Sequence, residues 1–219
     1  MTPPVTHPSG PAAGAHSIRD LLQTAPTAEL WNRAVDLFAS GRPVIVTTQT
    51  TTALVYGACT ITTSQMAELI RRSSGFVQVA LPEQRCDDLL LPEAAPTNRD
   101  RFRPGFGQCV TADAATGITT GISAEDRAHT ARVLCAPTTT VNDLTRPGHV
   151  VPVRADLAPT QNTSRFPLAT AVLTLTRQAL PVPGAVYADL VSERDPFHPI
   201  QLDEARRIAD QLHAVLIPI

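Results

Sequence analysis

The sequence predicts an α+β domain. Segments with apolar residues at helical spacing alternate with short β-branched runs along most of the chain. Neither kind dominates, which argues against a helical bundle or an all-β barrel. The 219 residues suffice for one sizeable core and do not demand a second.

Residues 1–25 hold Pro3, Pro4, Pro8 and Pro11 among Thr, Ser, Gly and Ala, a composition that cannot bury enough surface to offset ordering entropy. A disordered tail is expected there, with 26–219 as a single domain. Leu30, Trp31, Ala34, Val35 and Phe38 then recur at helical spacing, with Thr27 as N-cap and Gly41 as stop. Residues 43–48, with Val44, Ile45 and Val46, predict a buried strand. The hydroxyl- and amide-rich residues 47–52 predict either a hydrogen-bonding pocket wall or a β-prone edge. Met66, Leu69 and Ile70 predict a helix over 63–73, followed by a strand over 75–81. Residues 92–107 lack apolar periodicity and predict a surface loop. A strand over 109–114 leads to a helix that Ser123 caps, with Asp126 in its first turn and its end near Leu134. Leu173, Leu175 and Ala179 mark another helix, and the chain closes as strand, helix and strand over 184–191, 202–213 and 214–219.

Eighteen basic side chains nearly balance twenty acidic ones, so no long-range field draws in nucleic acid or an anionic membrane. No apolar run spans a bilayer, and the N-terminus lacks a basic start and apolar core of a secretory signal, so the chain reads as cytoplasmic. Cys59, Cys86, Cys109 and Cys135 form no Cys-Xaa-Xaa-Cys or Cys/His cluster and read as thiols rather than zinc ligands.

Two motifs carry more information than composition does. Thr119-Thr120-Gly121-Ile122-Ser123-Ala124-Glu125-Asp126-Arg127 is followed nineteen residues later by Arg146-Pro147-Gly148-His149-Val150. With Ser74-Gly75-Phe76-Val77, they resemble the 3,4-dihydroxy-2-butanone 4-phosphate synthase family, whose members rearrange ribulose 5-phosphate with magnesium. The resemblance runs from Gly41-Arg42-Pro43-Val44 to Ile217-Pro218-Ile219 and implies a mixed sheet with flanking helices. It also implies a homodimer with sites at the interface. The chain departs from the family at the metal. Where the family has an acidic loop, this chain reads Thr47-Thr48-Gln49-Thr50-Thr51-Thr52-Ala53, and no carboxylate lies between Asp36 and Glu68. Leu168 stands at the family's metal-ligand His, Arg165 keeps its place, and Asp189 is one methylene shorter than the family's catalytic Glu.

His149, Asp189 and Arg165 are therefore the catalytic candidates. An imidazole exchanges protons near neutral pH, a buried carboxyl can act as base, and a guanidinium can hold an oxyanion. Each also has a structural reading, as a turn-holding His, a strand-end carboxylate and a surface ion-pair partner. Thr48, Thr50, Tyr56, Thr119, Thr120, Phe166, Leu168 and Thr170 are the substrate-binding candidates. Neutral hydroxyls replace magnesium's carboxylate ligands poorly, so no metal and no cofactor are expected. Small and apolar replacements around a former phosphate site suggest a drier pocket. On that basis the expected function is a metal- and cofactor-independent enzyme of specialised natural-product metabolism, cyclising, isomerising or rearranging a largely apolar small molecule. The alternatives are a non-catalytic binding or partner subunit and, third, residual synthase activity.

Overall fold

Strand positions follow from which segments can be buried on both faces. The computed structural model describes residues 26–94, 107–156, 167–195 and 200–219, so the expected tail, Arg165, Phe166 and most of the 92–107 loop lie outside the described residues. Seven strands are present among them: β1 (Val44–Thr47), β2 (Thr52–Gly57), β3 (Gln78–Pro82), β4 (Ala112–Ala114), β5 (Leu144–Ala155), β6 (Ala185–Asp189) and β7 (Leu216–Pro218). They form one mixed sheet in the order β4-β5-β3-β6-β2-β1-β7. β3 runs parallel to β5 and β1 to β7, and the other neighbours are antiparallel.

Six α-helices cover the sheet: α1 (Ala28–Ala39), α2 (Thr63–Arg72), α3 (Glu83–Asp88), α4 (Ala124–Cys135), α5 (Pro167–Ala179) and α6 (Leu202–Leu212). Local chemistry starts three of them. Thr27 accepts a hydrogen bond from the Leu30 N–H at 3.2 Å, Thr62 and Gln65 cap each other, and Ser123 accepts from the Asp126 N–H at 3.0 Å. α1 and α5 pack one face, where Phe38, Val46, Val55, Val153, Leu173 and Tyr187 share a core. α2, α4 and α6 pack the other, around Ile45, Leu54, Met66, Leu134 and Ile208. The architecture is thus the expected α+β domain with a mixed sheet and flanking helices.

Three elements differ from the sequence reading. Residues 47–52, expected as a pocket wall or β-prone edge, are the end of β1, a turn and the start of β2, an interior strand without counterpart in the sequence reading and buried along its whole length. The Thr47 and Thr52 hydroxyls bond each other at 2.7 Å, which lets two polar side chains enter the core without loss. The Arg-Pro-Gly-His segment lies inside the twelve-residue strand β5 rather than in a loop, and the short helix α3 has no counterpart in the sequence reading.

Candidate functional site

Sheet register gathers the candidate residues at one end. Val151, Gln78 and Tyr187 stand in a row across β5, β3 and β6. Two residues further toward the same end come His149 on β5 and Asp189 on β6, and Asp189 is paired with Ala53 beside the β1–β2 turn. α5 packs on β3, β5 and β6 and leads into β6 at its Ala185 end, so the N-terminus of α5, with Leu168 and Thr170, points back toward Asp189.

His149 is held by a residue that sequence reasoning missed. Asp113 on β4 is buried, and its carboxylate accepts the His149 backbone N–H at 2.9 Å and a ring N–H, from Nδ1, at 2.7 Å. A carboxylate only accepts, so the ring nitrogen facing it carries a proton and Nε2 remains for a ligand. The His149 side chain is 40% exposed, against 7% for Asp113. The only sequence signal was a charge between two alanines in a buried strand.

Gly121 lies against this pair. A Cβ there would fall 2.2 Å from Asp113 Oδ2 and 2.6 Å from His149 Nδ1, and φ is +85°, so glycine is required on both counts. The loop before α4 is fixed by Asp126, whose carboxylate accepts from the Thr119 N–H and hydroxyl at 3.1 and 2.8 Å and from the Gly121 N–H at 3.0 Å. The Thr119 hydroxyl above all, with these N–H groups, holds the Asp126 carboxyl down at about 2. Arg127 then donates to the Gly75 carbonyl at 3.0 Å and ties the loop to the Ser74–Val77 segment.

The remaining candidates divide. Thr119 is a loop-holding residue, and Thr120 is exposed beside it. Thr48 closes the β1–β2 turn: its hydroxyl accepts from the Thr50 and Thr51 N–H groups at 3.2 and 3.0 Å and donates to the Thr51 carbonyl at 3.2 Å. Thr50 is exposed on that turn. Tyr56 is not a ligand-facing residue. It alternates onto the face packed by α2 and α4 and is 4% exposed in the core, where burial pushes its phenol up to about 12. Leu168 packs half-buried on the α1–α5 core, and Thr170 is buried behind it. A cavity of about 420 Å³ lies elsewhere, between β4, the end of α4 and the 138–143 segment, and none of the candidates lines it.

Burial raises the Asp189 carboxyl above the ordinary range, and a hydrogen bond from the Thr51 hydroxyl offsets part of that rise. A carboxyl raised on folding favours the folded state most below its unfolded pKa, and the benefit is lost as pH rises through the folded value. Asp189→Asn should therefore be more stable than the parent at pH 7, with the gap closing as pH falls through the raised folded value and gone below about 4. Urea midpoints across that range check the sign, and a destabilised variant at neutral pH would contradict the buried carboxylate.

A resident magnesium does not fit these residues. Among the described residues no three His, Cys, Asp or Glu side chains converge as a metal site. The hydroxyl of Thr48 is engaged within its own turn, Thr47 and Thr52 bond each other, and Asp189 is the one carboxylate in the register row.

A family model for 3,4-dihydroxy-2-butanone 4-phosphate synthase matches residues 32–219. The Riboflavin biosynthesis protein RibBA of Rhodococcus jostii (strain RHA1) is 40% identical over 192 residues, covering 85% of this chain and 45% of that protein. RibBA of Mycobacterium tuberculosis (strain ATCC 25177 / H37Ra) is 38% identical over 85% of this chain and 44% of its own length. The chain thus spans a little under half of these curated relatives. The Candida albicans synthase structure is 31% identical with a TM-score of 0.75, over 89% of this chain and 95% of that one. A synthase solved in complex with two magnesium ions is also 31% identical, with a TM-score of 0.76 over 85% and 91%. These relatives overturn the expectation of a natural-product cyclase or isomerase acting on an apolar molecule, because they carry riboflavin-pathway names while matching 85% of this chain. A preference for apolar substrates does not follow from the neutral residues of the 47–52 segment.

Proposed function

Because the chain belongs to the 3,4-dihydroxy-2-butanone 4-phosphate synthase family, a family of enzymes, we propose that it acts in riboflavin supply on ribulose 5-phosphate or a short phosphorylated ketose of that class. The observation that carries this reading is the Asp113–His149 pair, in which His149 and the Gly121 packed against the pair belong to the two motifs that resemble the family. An imidazole whose Nδ1–H is held by a carboxylate donates to a phosphate oxygen when Nε2 is also protonated, a form that both anions stabilise. Asp189, at the same end of the sheet and raised by burial, is the group suited to carry a proton to or from a ketose carbon.

No described helix is long and apolar enough to cross a membrane, and a sugar-phosphate substrate accords with a cytoplasmic setting. Phe76 and Ile122, 48% and 53% exposed, belong to the segments around this end, and we place the second copy of a homodimer over them.

Calorimetry with ribulose 5-phosphate tests the reading, with carbon NMR to follow turnover. Saturable binding is expected, and His149→Ala should weaken it by about tenfold or more, since a hydrogen bond to a charged group contributes roughly 1.5–3 kcal/mol. Unphosphorylated ribulose should not compete. Absence of ribulose 5-phosphate binding at millimolar concentration would remove the proposal.

A further inference from the structure

We infer that this chain holds its ligand without a divalent cation, the β1–β2 turn and Asp189 forming a hydrogen-bonded hydroxyl corner in place of a metal site. The inference concerns the site already described, but its first test needs no substrate.

Magnesium demands near-octahedral oxygen coordination and is usually anchored by one or two carboxylates. The β1–β2 turn supplies none, because every residue from Thr47 to Thr52 is neutral. The Thr47, Thr48 and Thr52 hydroxyls are also engaged. The Thr48 N–H donates to the Thr51 carbonyl at 2.8 Å, and the Thr48 hydroxyl takes the Thr50 and Thr51 N–H groups. The Thr47 and Thr52 hydroxyls face each other inside the core. Coordinating an ion there would break bonds that close the turn between two interior strands. Leu168, at the N-terminus of α5, is packed on the apolar core and offers no lone pair. Asp189 remains, a single half-buried carboxylate already hydrogen-bonded by Thr51. The corner is instead matched to neutral hydroxyl or carbonyl groups, which need hydrogen bonds and no counter-charge.

Manganese uptake by the full chain, followed by the loss of the free-ion electron paramagnetic resonance signal, tests the inference alongside calorimetry with magnesium chloride. No saturable uptake is expected below about 5 mM, since a single carboxylate is a weak hard-ion ligand. The melting temperature should be unchanged by EDTA, because an ion that binds the folded state would raise it by mass action. Stoichiometric uptake in the micromolar range overturns the inference, whether or not Asp189→Asn abolishes it. Ribulose 5-phosphate affinity should agree within about twofold in EDTA and in excess magnesium, a difference under 0.5 kcal/mol. A strong gain in affinity with magnesium also overturns it. A chain that binds neither metal nor ribulose 5-phosphate sinks the functional proposal and leaves this inference standing.

Discussion

Gly148→Ala should be among the most damaging single-methyl additions in this protein, lowering stability by about 3 kcal/mol or more, the upper end for forced overpacking. A Cβ at this position would lie 2.2 Å from the Ala112 carbonyl carbon, 2.3 Å from the Asp113 nitrogen and 2.6 Å from the Ala112 oxygen. All three are backbone atoms, so no side-chain rotation relieves the contact. Relief requires β4 to move off β5, and that pairing carries both Asp113 and His149. Gly41→Ala is the control. Its Cβ would meet nothing within 4 Å, although φ is +74°, so its cost should stay near the roughly 1 kcal/mol of an unfavourable backbone conformation. Urea unfolding of both variants compares the two, and equal midpoints would show that the close approach of β4 and β5 is wrong.

The elements legible in the sequence are those with local signals. Helices α1 and α4 announce themselves through Thr27 and Ser123, because capping is settled within one turn of chain, and α2 through the spacing of Met66, Leu69 and Ile70. β2 and β5 are settled by distant partners. The turn leading into β2 is threonine-rich and reads as a surface, yet β2 is flanked by β1 and β6, and only that placement shows why Ala53, Leu54, Val55 and Tyr56 are all buried. β5 contains Pro147 and Gly148, which read as a turn, and it tolerates them where its pairing to β4 is irregular.

The site was legible in part for the same reason. Two motifs located His149, but its holder Asp113 lies 36 residues away in sequence and has no motif of its own. Tyr56 was misplaced because strand alternation turns it toward α2 and α4, whereas Asp189 follows Tyr187 by two residues onto the α1–α5 face. The missing carboxylates between Asp36 and Glu68 were legible in the sequence as a departure from the family. They say nothing about what the substrate is made of, and the riboflavin-pathway relatives supply that direction.

Asp113→Asn should weaken ribulose 5-phosphate binding by about ten- to a hundredfold while leaving most of the fold intact, since roughly 1.5–3 kcal/mol attends loss of a charge-assisted hydrogen bond. Asparagine keeps the shape, and its amide oxygen can still accept the His149 backbone N–H now bonded at 2.9 Å. Its NH₂ then faces Nδ1, which must give up its proton and accept, so the neutral ring carries hydrogen on Nε2. The nitrogen left for a ligand thereby changes from an acceptor that can be protonated into a fixed neutral donor, and the stabilising charge behind the ring is gone. Nitrogen-15 NMR of the His149 ring reads the tautomer directly, a signature that simple loss of packing would not produce. Gly121→Ala reaches the same end with Asp113 intact, because its Cβ would intrude on both Asp113 Oδ2 and His149 Nδ1. If Asp113→Asn binds ribulose 5-phosphate within about twofold of the parent, a difference under 0.5 kcal/mol, while its ring tautomer has changed, the pair only braces β4 against β5 and His149 is not the phosphate-facing group.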